Sequence, residues 1–322
     1  MRGLLKQFLS IAKSRAGSYP LLEPEILFLI SYGRIAYTRL TRSCKTRRLR
    51  FEIRTLDTKR FEDADKYAVY LKEPADRLRS ELAWENMRRF LPENSSECRA
   101  LDAGGGTGFV TVRLARLGFE VVLLDGSVEM LRVARREAEA FGVSARISFC
   151  HSDVSQLPRI VDAGSFDMVV CNNLLEYAED PSVTIRDIAH VLRKDGVFSI
   201  LVRNRAGEVL KDAIKSRDWK LAAANLTAET VVDTLYGEAL RVFTPDEVRN
   251  LCVRAGLEVV AECGVRVFSD YLAVENLTDT TYDQVFELES TLAPRTEFSG
   301  IARYIQVIAR RSGASSNKVT RP

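Results

Sequence analysis

The chain has 322 residues, 46% apolar and 28% charged, a balance that excludes disordered, collagenous and coiled-coil classes and leaves a globular protein. Its net charge of +3 is unevenly placed: residues 1–60 hold 14 Lys+Arg against 4 Asp+Glu, or +10, so residues 61–322 carry −7. A basic head precedes a mildly acidic body.

The chain order begins with that head. The first 22 residues contain no acid, and Leu4, Leu5, Phe8, Leu9, Ile11 and Ala12 lie at helical spacing beside Lys6, Lys13 and Arg15. This resembles a transit peptide or an interfacial helix, with a solvated basic extension outside the fold as the alternative. From Arg42 to Arg60 the basic residues show no sustained apolar period, which predicts an arm. Residues 1–60 are therefore expected as a basic extension. No stretch approaches the roughly 20 apolar residues of a membrane span; the best is Ile26 to Ile30.

From Tyr67 to Leu91 apolar residues recur with helical period among charges, up to Pro92. Short apolar runs then alternate with helical stretches. Strands are expected up to Leu101 and at Glu120–Leu124, Arg146–Cys150, Phe166–Cys171 and Val197–Val202; helices at Phe109–Leu117, Val128–Phe141 and Pro181–Leu192. Unalternated apolar strands joined by helices require a parallel sheet covered on both faces, hence an α/β doubly wound sheet. Residues 204–243 lose this alternation and read as a helical cap inserted over the carboxyl edge. Thr244-Pro245-Asp246-Glu247 is a capping box opening a helix that stops at Ala255-Gly256. Strands at Leu257–Ala261 and Tyr304–Ala309 complete a domain spanning 61–311, with a disordered tail at 312–322.

Six scattered cysteines without a C-x-x-C pair, and two histidines, His151 and His190, support neither a zinc site nor a disulfide framework. A reducing, cytoplasmic setting follows, with organelle targeting through the basic head as the alternative.

Asp102-Ala103-Gly104-Gly105-Gly106-Thr107-Gly108 lies between the first of these strands and its helix, where a ligand at the carboxyl edge meets backbone. The dinucleotide fingerprint needs a third glycine where Phe109 stands, which disfavours NAD. Asp125 ends the next strand, 21 positions after Gly104, where a carboxylate can accept from both hydroxyls of a ribose. Ser152 and Asp153 follow the third strand, and Asn172 ends the fourth. Glycine backbone, acid, acid and amide thus line one edge.

In this combination the stretch from Cys98 to Val202 resembles the class I S-adenosylmethionine-dependent methyltransferases. The resemblance implies a Rossmann-like seven-stranded sheet and S-adenosylmethionine as cofactor. Gly104, Gly105 and Gly106, with Asp102 below them, would back its methionine part, Asp125 its ribose, and Ser152 and Asp153 its adenine. Asn172 would line the methyl-transfer end. The segments 264–272, 282–289 and 302–305, with Leu78-Arg79 and Trp84, are similar to the tRNA 5-carboxymethoxyuridine methyltransferases, which implies Arg79 as a cofactor contact and tRNA as partner. The chain departs from that family in about 50 extra residues at its start, in a cap without the family's lysine-rich run, and in Asn172 where histidine is expected.

If the acceptor is a carboxylate, it is ionised at neutral pH and needs no general base. Arginines would then position it, and Arg203, Arg266 and Arg303, with Tyr271 and Tyr304, are the candidates. Trp219 and Tyr236 are cap residues able either to stack on a base or to pack. The rival readings are a small-molecule O- or N-methyltransferase, an NAD(P)-dependent oxidoreductase, and a non-catalytic RNA or membrane adaptor.

Overall fold

A computed structural model describes residues 27–31, 34–42, 49–57, 64–71, 73–232, 237–272 and 279–312. The expected N-terminal helix and the expected tail beyond Ser312 lie outside them. The chain divides into two units, 1–59 and 60–322.

In the first unit β1 (Leu27–Ser31), β2 (Arg34–Arg42) and β3 (Leu49–Asp57) form an antiparallel three-stranded sheet. This corrects the expected arm. Leu49, Phe51 and Ile53 alternate with Arg50, Glu52 and Arg54, a period of two, which a search for helical spacing passes over.

The second unit opens with α1 (Ala64–Tyr70) and α2 (Pro74–Arg88), helices leading into the first strand as the helical period predicts. Proline at the first helical position of α2 explains the break between them. A seven-stranded sheet follows, built from β4 (Arg99–Ala103), β5 (Glu120–Asp125), β6 (Ile147–His151), β7 (Phe166–Asn172), β8 (Leu192–Arg203), β11 (Leu257–Val265) and β12 (Tyr304–Arg311). Their spatial order is β11-β12-β8-β7-β4-β5-β6. The first five pair in parallel, while β12 runs antiparallel between β8 and β11. The order turns back at β4, so the loops after β4 and β7 diverge there and leave a crevice at the carboxyl edge.

Strand β7 shows why the apolar runs do not alternate. Val169 and Cys171 join one buried cluster with Ile185, Phe198 and Ile200, while Met168 and Val170 join another with Leu114, Phe119 and Leu131. Helices α3 (Phe109–Arg116) and α4 (Val128–Ala140) supply the second cluster, and α5 (Pro181–Val191) the first. Both faces are covered, as a parallel sheet requires.

The cap is α6 (Arg205–Leu210), a π-helical turn Lys211–Ser216, and α7 (Trp219–Asn225), followed by a short hairpin of β9 (Thr230–Val232) and β10 (Ala239–Arg241). The hairpin corrects the wholly helical expectation. Helix α8 (Pro245–Arg254) starts with the expected capping box: Thr244 Oγ1 accepts from Glu247 N at 3.2 Å, and Glu247 Oε2 accepts from Thr244 N at 2.7 Å. Among the described helices not foreseen as elements, the longest is α9 (Asp279–Leu292).

Candidate functional site

The carboxyl ends of β4, β5, β6, β7 and β8 share one edge with the start of β12, because Tyr304 pairs with Arg203 and with Val265. Two clusters of polar groups occupy that edge.

The first is the glycine loop. Gly104 (φ 71°), Gly106 (φ 53°) and Gly108 (φ 85°) adopt the left-handed conformation that side chains resist. Gly105 is required for another reason: a Cβ there would stand 2.8 Å from Leu123 Cγ and 2.9 Å from Asp102 Cγ. Its constraint is internal packing. At Gly106 a Cβ would meet nothing within 4 Å, so the loop faces open space there.

Asp102 is buried and accepts from Thr111 N at 3.1 Å and Thr111 Oγ1 at 2.6 Å, fastening the loop to α3. Burial pushes its carboxyl up to about 6 against these bonds. Asp125 Oδ2 accepts from Gly106 N at 2.9 Å and Oδ1 from Ser127 N at 2.8 Å. Burial raises its pKa while both amides oppose the rise. Each oxygen keeps a further lone pair for a hydroxyl. Ser152 N donates to Asp125 O at 3.1 Å, and Asp153 Oδ1 accepts from Ser155 N at 2.8 Å, so both residues stand beside Asp125 at the rim. His151 Nε2 meets Gly126 O at 3.0 Å, a scaffold contact. Asn172 Oδ1 is buried and has no hydrogen-bond partner among the described residues. Open space at Gly106, acids at two strand tips and an unanswered amide oxygen fit a polar cofactor carrying a ribose and an amino group.

The second cluster gathers Arg79, Arg203, Arg266, Arg303 and Tyr304, residues spread over 226 positions, with Tyr271 next to them. Arg79 Nη1 donates to the Tyr304 hydroxyl at 3.3 Å. The guanidinium carbons of Arg79, Arg203 and Arg303 lie 5.4, 5.8 and 5.7 Å from the Tyr304 ring centroid. Arg79 therefore faces Tyr304 in this structure.

Four carboxylates balance the four guanidiniums. Asp76 pairs with Arg79 at 3.3 Å and with Arg266 at 3.8 Å. Glu176 Oε1 accepts from Arg203 N at 2.7 Å and from Asn173 Nδ2 at 2.9 Å. Glu208 pairs with Arg203 at 3.0 Å and also with Arg303, while Asp270 pairs with Arg303 at 3.3 Å and also with Arg266. Burial opposes ionisation of Glu208, but Arg303 and Arg203 outweigh it and hold the carboxyl at about 2. Burial likewise opposes ionisation of Tyr304, yet Arg79, Arg203, Arg303 and Arg266 bring its phenol down to about 8.

Backbone strain supports this arrangement. Arg266 has φ 61°, uncommon outside glycine. Glu289, buried on α9, accepts from Val267 N, Phe268 N and Ser269 N at 2.7, 3.0 and 2.8 Å and so holds the turn after Arg266. Arg266 Nε, Ser269 Oγ and the Tyr271 hydroxyl are buried without a hydrogen-bond partner among the described residues.

The acids Asp76, Glu176, Glu208, Asp270 and Glu289 were not singled out from the sequence. A signal existed for three of them, since Asp76 lies three positions before Arg79, Glu208 five after Arg203, and Asp270 four after Arg266. Glu176 and Glu289 have no such mark. Leu174 links the clusters: its side chain stands 3.0 Å from where a Gly104 Cβ would be, two positions before Glu176.

The doubly wound sheet, with one antiparallel strand and a glycine loop at its switch point, is an architecture that binds its ligand at the carboxyl edge. Residues 94–256 match the family model described as a methyltransferase domain. The chain is 29% identical over 236 residues to the tRNA 5-carboxymethoxyuridine methyltransferase of Escherichia coli K12, covering 73% of this chain and 88% of that protein. It is 36% identical over 121 residues to the ubiquinone biosynthesis O-methyltransferase of Xanthomonas axonopodis pv. citri, 38% of this chain and 49% of that one. Among solved structures it resembles a putative S-adenosylmethionine-dependent methyltransferase from Listeria monocytogenes (TM-score 0.53, 14% identity, 74% and 100% of the two chains). A possible histamine N-methyltransferase from Thermotoga maritima is similar in fold (TM-score 0.52, 17% identity, 79% and 99%). The chain belongs to the methyltransferase domain family and is an S-adenosylmethionine-dependent methyltransferase.

Proposed function

We propose that this enzyme methylates a carboxylate carried by a modified uridine in tRNA. The observation that carries the reading is that Arg266 Nε and the Tyr271 hydroxyl, with the neighbouring Ser269 hydroxyl, are buried donors left unanswered among the described residues, in a cluster of four guanidiniums beside the glycine loop. An acceptor carboxylate supplies the missing acceptors. The tRNA-modifying relative matches 236 residues of this chain, whereas the ubiquinone-pathway relative matches 121.

When bound, the cofactor supplies an electrophilic methyl group on a sulfonium. Asp125, Ser152, Asp153, Asn172 and the Gly104–Gly106 backbone are the residues that would hold it. Arg266 and Tyr271 then orient the acceptor oxygen for in-line attack, and alignment is the main contribution the protein makes. A carboxylate needs no proton removed at neutral pH. This suits an edge where His151 is engaged with Gly126 O. The −4 charge of Asp76, Glu176, Glu208 and Asp270 keeps the four arginines in place without a bound acceptor.

Nucleoside mass spectrometry of tRNA from a strain lacking the gene tests the reading. A carboxylate that loses its methyl ester, restored by the wild-type gene and not by Arg266→Ala, is the expected result. An unchanged nucleoside profile overturns the tRNA acceptor.

A further inference from the structure

The cap carries a feature that methyl transfer itself does not use. Trp219, at the start of α7, is 74% exposed, although large aromatic side chains ordinarily bury most of their surface. Residues 211–220 read Lys-Asp-Ala-Ile-Lys-Ser-Arg-Asp-Trp-Lys, four cations and two acids. Both acids are turned to internal tasks: Asp212 is buried and accepts from Asn225 Nδ2 at 2.7 Å, and Asp218 Oδ1 accepts from Leu221 N at 2.9 Å as the helix cap. Lys215, Arg217 and Lys220 are exposed.

This surface is continuous with the arginine cluster. Lys211 Nζ pairs with Glu208 at 3.2 Å, the same carboxylate that holds Arg203 and Arg303. Lys215 lies within electrostatic reach of Arg266 and Arg303. The π-helical turn that carries both lysines packs on the turn Ser269–Tyr271, which supplies Asp270 and Tyr271. A line of positive charge therefore leads from the acceptor end of the site, along the turn, to a tryptophan in solvent.

We propose that the cap surface of Lys215, Arg217, Trp219 and Lys220 is the docking track for the RNA strand flanking the methylated nucleotide, with Trp219 stacking on a neighbouring base. The proposal rests on the tRNA reading above. Its chemistry is that of single-strand recognition: cations along the phosphates and an aromatic face that accepts any base. A nucleotide whose base enters a buried site must leave its stack, and Trp219 offers a replacement.

The test uses the full-length enzyme and tRNA purified from a strain lacking the gene. Titration of tRNA quenches tryptophan emission in the wild type and in Trp84→Phe, and leaves Trp219→Ala unquenched. Trp219→Ala binds tRNA on the order of tenfold more weakly. Lys215→Ala/Arg217→Ala/Lys220→Ala lowers the slope of log affinity against log salt by about 2. Retained S-adenosylmethionine binding by each variant shows that it is folded. Wild-type affinity and salt slope in both variants overturn the track while leaving the tRNA reading intact. A wild type that binds no tRNA overturns both. A concentration-dependent dimer that Trp219→Ala dissolves makes this surface a self-interface and overturns the track.

Discussion

At the Gly104 end of the carboxyl edge, polar order is made by backbone: Asp102 and Asp125 between them take hydrogen bonds from Thr111, Gly106 and Ser127 amides. At the Tyr304 end it is made by side chains, four guanidiniums against four carboxylates, assembled from α2, β8, α6 and the segments flanking β11 and β12. The first kind of site is local in the chain and insensitive to salt. The second depends on long-range packing and on every partner being present. Under the proposed function, one end holds the cofactor and the other exchanges an internal ionic balance for that of an acceptor.

The comparison is broken most severely at Glu208. Glu208→Ala leaves Arg203 and Arg303 short of a buried partner, and urea denaturation should show a loss of about 3–5 kcal/mol; a loss under about 1 kcal/mol would mean the cluster is solvated. Asp125→Ala attacks the other end. Its affinity for S-adenosylmethionine, followed by calorimetry, should fall about 100-fold, as two charge-assisted hydrogen bonds are lost, with the Tyr304 cluster intact.

Gly207→Ala separates the two ends without touching a charge. A Cβ there would stand 2.5 Å from Ala302 O and 2.7 Å from Arg303 Cα, so the strand bearing Arg303 and Tyr304 must shift. A cost of about 1–3 kcal/mol is expected, together with a raised acceptor KM and an unchanged cofactor Kd. An equal change in both constants would show that the clusters move as one.

Tyr304 gives a pH signature. Its phenol titrates near 8 when folded and near 10 when unfolded, so folded-state stability rises between those pH values and the contribution is absent below about 8. A phenolate competes with the acceptor for the guanidiniums. Acceptor KM should therefore rise several-fold above pH 8 in the wild type, and stay flat in Tyr304→Phe. The smallest effect is Thr244→Ala, about 1 kcal/mol by thermal denaturation from the lost cap, with neither site altered.

How much was legible follows the same division. The five parallel strands, the glycine loop and Asp125 could be read because each is a local pattern: an apolar run, a turn needing φ > 0, an acid at a strand end. The residue types of the second cluster could be named, since Arg203, Arg266, Arg303, Tyr271 and Tyr304 border strands. Of their partners, Asp76, Glu208 and Asp270 left a local mark beside an arginine, whereas Glu176, Glu289 and the meeting of Arg79 with Tyr304 across 225 positions are properties of the folded chain. Strand β3 was missed through the wrong period, and the cap hairpin because three-residue strands carry too little pattern to detect. The exposure of Trp219 was undecidable in one dimension: the same tryptophan beside the same lysines would read identically if packed inward.

Strand β12 gives the molecule an order of assembly. It is the last strand of the sheet in the chain, yet it lies between β8 and β11, paired on both sides. A nascent chain that has emerged only as far as β11 possesses the whole glycine loop and an unfilled slot whose two flanking strands offer bare backbone amides and carbonyls. Closing that slot spans about a hundred residues from β8 and delivers Arg303 and Tyr304 in the same event. Translation thus delivers the whole Gly104 loop well before Arg303 and Tyr304, and the Tyr304 cluster is incomplete until the final strand is made.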